Sequence, residues 1–316
     1  MRKRTVISLA AGTATLGGAT LAYASLVERN LFTLRRFNVP VLEPDAEPLR
    51  ILHLSDLHMM PDQRRKQAWV AALGGTDPDL VVVTGDNMAS PDAVPGVLRA
   101  LEPLLTVPGA FVFGSNDYRG PVWKNPLQYL LPEREYVQGV DLPADDLRAA
   151  LVDAGWADLN NARVTLKAGG RAIELAGVDD PHVDRDDYAA VSGPVSPGAD
   201  LHIGVTHTPA SRVLNPMAAD GFALLLAGHT HGGQVCVPLY GALTTNCDLP
   251  HRMAKGLHRR PGTDSWLHVS AGLGTSPYAP VRFACPPEAS LLTLVPRSTS
   301  DDAAEATPAS AAADVG

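Results

Sequence analysis

The chain has 316 residues, 45% of them hydrophobic and 19% charged, and its 26 Lys and Arg against 34 Asp and Glu give a formal net charge of −8. Such a composition supports a sizeable core and excludes a disordered chain, and the acidic balance excludes a general nucleic-acid binder, whose affinity rests on cations neutralising phosphates. Three cysteines, Cys236, Cys247 and Cys285, are too few for a disulfide framework and contain no C-x-x-C pair for a structural zinc.

Arg2, Lys3 and Arg4 precede a run without charge from Thr5 to Val27. As a helix at about 1.5 Å per residue that run reaches roughly 34 Å, enough for a hydrocarbon layer of about 30 Å. Ala22-Tyr23-Ala24 is also a small-residue site of the kind at which secretory signals are cut. Residues 1–27 are therefore expected to be a signal anchor or signal peptide, followed by a linker over 28–48. Positive charge ahead of the run places the remainder outside the cytoplasm, membrane-tethered or secreted. At the far end, residues 297–316 are rich in Ala, Ser, Thr and Asp and read as a disordered tail. The domain is expected over 49–296.

Within it, apolar runs repeatedly end in polar clusters. Leu49 to Ser55 leads into Asp56-Leu57-His58, a helical stretch follows over 62–73, and Leu80 to Thr84 leads into Gly85-Asp86-Asn87. This is a βαβ unit, so the two strands run parallel and bring Asp56 and Asp86 to one sheet edge, where such folds bind ligands. Ala110 to Phe113 ends in Gly114-Ser115-Asn116-Asp117. Ala172 to Ala176 ends in a cluster holding Asp179, Asp180 and His182, Leu201 to Val205 ends in Thr206-His207, and Phe222 to Ala227 ends in Gly228-His229-Thr230-His231-Gly232-Gly233. His and Asp placed this way add nothing to stability, so a polar site at one sheet edge is the economical reading.

The order Asp-x-His, Gly-Asp-Asn, Gly-x-Asn-Asp, His-x-Pro, Gly-His-Thr-His resembles the calcineurin-like metallophosphoesterase superfamily, closest to its bacterial membrane-associated YkuE/YaeI-type branch, over roughly 49–296. The resemblance implies an α/β fold: a four-layer αββα sandwich of two mixed β-sheets with the dimetal site at the loop edge. It implies two divalent metal ions, Mn, Fe, Zn or Mg. Asp56, His58 and His231 would hold one, Asp86 would bridge both, and His207, His229 and an amide from the 114–117 loop would hold the other. A pair of ions about 3.5–4 Å apart clamps a phosphate and readies a hydroxide for attack.

One departure stands out. The family pattern is Gly-Asn-His-Asp or Gly-Asn-His-Glu, its Asn a ligand and its His an aid to catalysis. Aligned without a gap, Ser115 takes the ligand position; shifted by one, Asn116 does, and an amide oxygen is the better ligand. Either way no histidine remains there, and Asp117, Asp180 and His182 are the candidates to replace it. His53 and His202 lie inside apolar strands and read as packed or hydrogen-bonded residues, Cys236 as a small core residue, and Arg64-Arg65-Lys66 as a solvated helix face. The Pro-containing stretch 118–139 reads as a loop shaping the substrate pocket.

The expected function is hydrolysis of a phosphate ester, a phosphodiester by preference and lipid- or nucleotide-linked, by a metal-bridging hydroxide. The competing expectation is a membrane-tethered scaffold of the same fold that keeps the metal ligands and has lost turnover.

Overall fold

The computed structural model describes residues 15–123 and 139–297. In chain order, β1 (Thr33–Leu42), β2 (Leu49–Leu54), β3 (Leu80–Val83), β4 (Gly109–Phe111) and β5 (Ala157–Asp158) precede β6 (Ala162–Ala168), β7 (Arg171–Gly177), β8 (Leu201–Val205) and β9 (Leu224–Ala227). The two-residue strands β10 (Cys236–Val237) and β11 (Gly241–Ala242) pair as a hairpin, and β12 (Gly256–Arg259), β13 (Trp266–Val269) and β14 (Glu288–Pro296) follow. Two six-stranded sheets result, ordered β1-β14-β2-β3-β4-β5 and β12-β13-β9-β8-β7-β6. Both are mixed. β2 to β5 run parallel with β14 antiparallel to β2, while β7, β8, β9 and β13 run parallel with β6 and β12 antiparallel at the edges.

Alternation along each strand decides what the faces meet. Leu49 and Ile51 of β2, with Leu80 and Val82 of β3, face Ile173, Leu175, Ile203, Leu224 and Leu226 of the other sheet in a core between the two. Leu52, Leu54, Val81 and Val83 point the opposite way, onto helices Arg64–Ala72, Val94–Leu101 and Ala144–Asp153 through Val70, Val97, Leu147 and Leu151. The second sheet does the same, packing Leu225, Ala227, Leu267 and Val269 on Val213, Leu214 and Met217 of helix Ser211–Asp220. Each such side chain contributes about 1.5–3 kcal/mol on full burial. The product is the expected four-layer αββα sandwich.

Two segments differ from the sequence reading. Residues 28–48 hold β1, which pairs in parallel with β14 from Thr33↔Glu288 to Leu42↔Pro296 and buries Val39, Val41 and Leu42 between the sheets. An edge strand keeps one side in solvent, so Arg35, Arg36 and Asn38 interrupt its apolar residues, and Pro40 is tolerated there. In the helix at 64–72, Arg64 and Arg65 are exposed, but Lys66 is buried and its Nζ donates to Leu57 O at 2.7 Å. His53 and His202 are hydrogen-bonded inside the fold, His202 Nε2 to Ser196 O at 2.9 Å.

At the N-terminal end, residues 15–22 are α-helical and continue through a π-helical turn, Tyr23–Val27, into the 3-10 turn Glu28–Asn30. Among the described residues no helix is long and apolar enough to cross a membrane. The first fourteen residues, the tail beyond Arg297, and 124–138 of the expected pocket loop lie outside the described residues.

Candidate metal centre

Beyond the ends of β2 and β3 the parallel pairing continues into the loops. Asp56 N–H donates to Gly85 O, His58 N–H to Asp86 O and Met59 N–H to Asn87 O, at 2.8–2.9 Å. This lays Asp56-Leu57-His58 alongside Gly85-Asp86-Asn87. Asp56, His58, Asp86, His229 and His231 have φ of 51°, 39°, 53°, 69° and 50°, the left-handed region that residues with a Cβ avoid. At about 1–3 kcal/mol each, such strain persists only where the surroundings over-determine it. Glycines make those surroundings. A Cβ on Gly228 would lie 1.9 Å from Ser55 Oγ and 2.6 Å from Asp56 Oδ2, and one on Gly114 would lie 2.3 Å from Asp86 Oδ1.

Donor atoms of Asp56, His58, Asp86 and His231 lie within 4.8 Å of one another. His58 Nε2 is 3.1 Å from His231 Nε2 and 3.5 Å from Asp86 Oδ2, and His231 Nε2 is 3.4 Å from Asp56 Oδ1. The other oxygen of Asp86, Oδ1, faces His207 Nε2 at 3.5 Å, which in turn is 3.3 Å from His229 Nδ1. Asp86 thus offers one oxygen to each of two imidazole pairs, the arrangement a bridging carboxylate needs. His207 Nδ1 lies 2.6 Å from Thr84 O, which leaves Nε2 to face the site. Asn116 sits here too: its backbone N–H donates to Asp86 Oδ1 at 2.8 Å and its Nδ2 to Oδ2 at 2.7 Å. So placed, its amide works as a donor to Asp86. All seven metal-ligand candidates from the sequence are therefore gathered at one edge of the sandwich, and converging imidazoles and carboxylates with little access to water suit divalent cations.

The electrostatics agree. Burial pushes His58 and His229 down to about 4, with His207 and His182 adding to the effect on His229, so both rings are neutral near pH 7 and available to a metal. Burial opposes ionisation of Asp56 and Asp86, but His231 and His207 hold Asp56 below its ordinary value, and His207 and His58 hold Asp86 well below. His207 differs: burial favours its neutral form, yet the neighbouring Asp86 and Asp180 carboxylates draw it well above the usual imidazole range.

A sequence model of the family described as calcineurin-like phosphoesterase matches residues 49–233, which span this set from Asp56 to His231. The chain belongs to that family. The metallophosphoesterase YkuE of Bacillus subtilis (strain 168) is 26% identical over 299 residues, covering 91% of this chain and 93% of its own. Phosphodiesterase YaeI of Escherichia coli (strain K12) is 28% identical over 302 residues, covering 93% and 99%. YkoQ of Bacillus subtilis is 27% identical over 236 residues, covering 73% and 78%. This chain is accordingly a metal-dependent phosphoric ester hydrolase.

The candidates for proton transfer in this phosphoesterase occupy unlike places. Asp117 is fully buried, accepting Asn87 N–H at 2.8 Å and Gly114 N–H at 3.0 Å, and burial beside Asp86 raises it to about 7. Its oxygens tie two ligand loops together. Asp180, also buried, accepts from Ser115 N, His182 N and the Thr208 hydroxyl at 2.7–2.9 Å, so Ser115 meets the site through its backbone. His182 is exposed at the edge, its ring centroid 4.7 Å from that of His229.

Other residues of the centre escaped the sequence reading. Ser55 Oγ donates to Asp56 Oδ2 at 2.5 Å and accepts from Thr84 Oγ1 at 2.7 Å; Thr84 in turn meets His53 Nε2 at 2.9 Å, and His53 Nδ1 meets His268 Nδ1 at 2.8 Å across the two sheets. This buried chain fixes the Asp56 carboxylate. Arg282, fully buried, donates to the carbonyls of Ala271, Gly272 and Gly274 behind the same loop, at 2.7–3.0 Å. Asn246 O lies 3.2 Å from His229 Nε2. Only His53, three residues before Asp56, carried any signal; Arg282 and Asn246 belong to no motif.

Proposed function

We propose that this phosphoesterase cleaves a phosphodiester in a lipid- or nucleotide-linked substrate, outside the cytoplasm, from a chain tethered by its N-terminal segment. The observation that carries the reading is Asn116. It occupies the loop where the family pattern has a histidine, and both its N–H groups are spent on Asp86. With no imidazole there to protonate a departing oxygen, the esters best served are those whose leaving groups need least help, diesters and activated esters. Divalent metal ions bound at Asp56, His58, Asp86, His207, His229 and His231 would neutralise phosphate charge and activate water. The protein's own part is to hold Asp86 between the two imidazole pairs, to keep His58 and His229 neutral, and to set His182 at the rim. Tethering is supported by Arg2, Lys3 and Arg4 ahead of an uncharged run.

The full chain with added Mn²⁺ is expected to hydrolyse an aryl phosphodiester much faster than an alkyl phosphomonoester, and Asp86→Ala prepared identically is expected to be silent on both. A preference for the monoester overturns the diester reading. Silence of the parent with metal bound favours the second reading, a metal-binding scaffold, for which the Asn116 departure also speaks.

A further inference from the structure

We infer that the N-terminal helical segment and the β10–β11 hairpin together form a face that lies on a lipid bilayer, and that the site takes phosphoesters whose apolar part stays in that bilayer. The substrate half of this rests on the phosphoesterase reading above.

Fifteen large apolar side chains are exposed among the described residues, and twelve of them fall on three stretches: six on residues 16–31, five on 235–243, and Tyr278, whose neighbour Ala279 accepts from Gln234 Nε2 at 3.0 Å. Leu16, Leu21 and Leu26 are 60–70% exposed, Leu239 wholly so, Tyr240 74% and Leu243 52%. Patches of this kind on a soluble chain mark a surface meant for contact. One segment joins the first two stretches. Arg282 N–H donates to Ala24 O at 3.1 Å and Cys285 N–H to Glu28 Oε1 at 2.7 Å, while Cys236 N–H donates to Phe283 O at 2.8 Å and Phe283 N–H to Gln234 O at 3.1 Å. Helix and hairpin are therefore fastened to the same four residues, 282–285.

The sequence says what covers them. No charged residue occurs from Gln234 to Asn246, and none from Thr5 to Val27, where the uncharged run leads back to Arg2, Lys3 and Arg4. A chain that enters a bilayer at its basic end brings the exposed flank of residues 16–31 to lipid, and the hairpin bound beside it shares that level. The hairpin makes its contact from the bilayer surface, and the exposed Tyr240 ring with its hydroxyl suits the headgroup depth. The hairpin also borders the catalytic edge. It leaves the ligand loop at Gly233 and returns at Asn246, whose carbonyl lies 3.2 Å from His229 Nε2. A lipid phosphoester can reach that rim without leaving the bilayer.

The test uses the full chain in phosphatidylglycerol and phosphatidylethanolamine vesicles doped with nitroxide-labelled lipid. A fluorophore on Leu239→Cys is expected to be quenched, and the same fluorophore on Val152→Cys, exposed on helix Ala144–Asp153, is not; labelled parent sets the background. Quenching at 239 no greater than at 152 overturns the bilayer contact, as does cross-linking of position 239 to a second copy in place of quenching. In the second arm, Leu239→Asp with Leu243→Asp is expected to cleave methyl aryl phosphodiester in solution within about two-fold of the parent, but a dodecyl aryl phosphodiester embedded in the vesicles at least roughly ten-fold more slowly. Equal rates on both probes, or equal losses, overturn the substrate inference. Quenching requires no turnover, so a quenched but inactive parent removes the phosphoesterase reading alone.

Discussion

His182 stands exposed at the rim with its ring against His229, while Asp117 is locked between two backbone donors. If His182 delivers the proton to the departing oxygen, its loss should matter in proportion to how badly the leaving group needs one. His182→Ala is expected to slow an alkyl aryl diester that expels nitrophenolate very little and a dialkyl diester by about 10²-fold or more. Equal losses on the two would assign His182 a packing role instead. Lys66 makes a different demand. Burial, with Arg282 and Arg29 nearby, lowers it from 10.5 to about 7, so the folded chain binds fewer protons than the unfolded chain between those values. Its contribution to stability therefore rises with pH across that window and is unfavourable below it. Urea midpoints at pH 7 and near pH 10 are expected to show this rise in the parent and a flatter response in Lys66→Met. The candidate ligands were legible in the sequence because the chemistry asks for His, Asp and an amide at strand ends. Lys66 was not, because its neighbours Arg64 and Arg65 share its character and only the turn of the helix separates them.

At the level of elements, the centre depends on loops that approach one another more closely than side chains allow. Gly228→Ala places a methyl group against Ser55 Oγ and Asp56 Oδ2, and overpacking of this sort costs about 1–3 kcal/mol. The variant is expected to lose that much in urea unfolding and to retain less Mn²⁺ on gel filtration, with the deficit in metal exceeding what the unfolded fraction explains. The βαβ unit of β2 and β3 was readable from its buried, uninterrupted strands. β1 was not, since an edge strand spends half its residues on solvent and Arg35-Arg36 masks its alternation. The hairpin of β10 and β11 was hidden for another reason: two-residue strands leave no periodicity to detect.

Across the whole molecule, local patterns could propose strands but not their order, and the sandwich was foreseen only through the resemblance. Pairings such as β14 between β1 and β2, or His53 meeting His268 from opposite sheets, join residues more than two hundred positions apart. A chain ending at Pro287 lacks β14, leaving β1 and β2 as unpaired edges and removing Leu292 and Leu294 from the core between the sheets. It is expected to yield no dispersed amide spectrum and to sediment as aggregate. The position of β14 also has a meaning in time. Of the described strands a ribosome makes this one last, yet it belongs between the first two of them, and no other described strand of the first sheet pairs with either β1 or β2 on that side. Until residues 288–296 emerge, the nascent chain carries two open edges that only this stretch can close, so it depends on being sheltered until then.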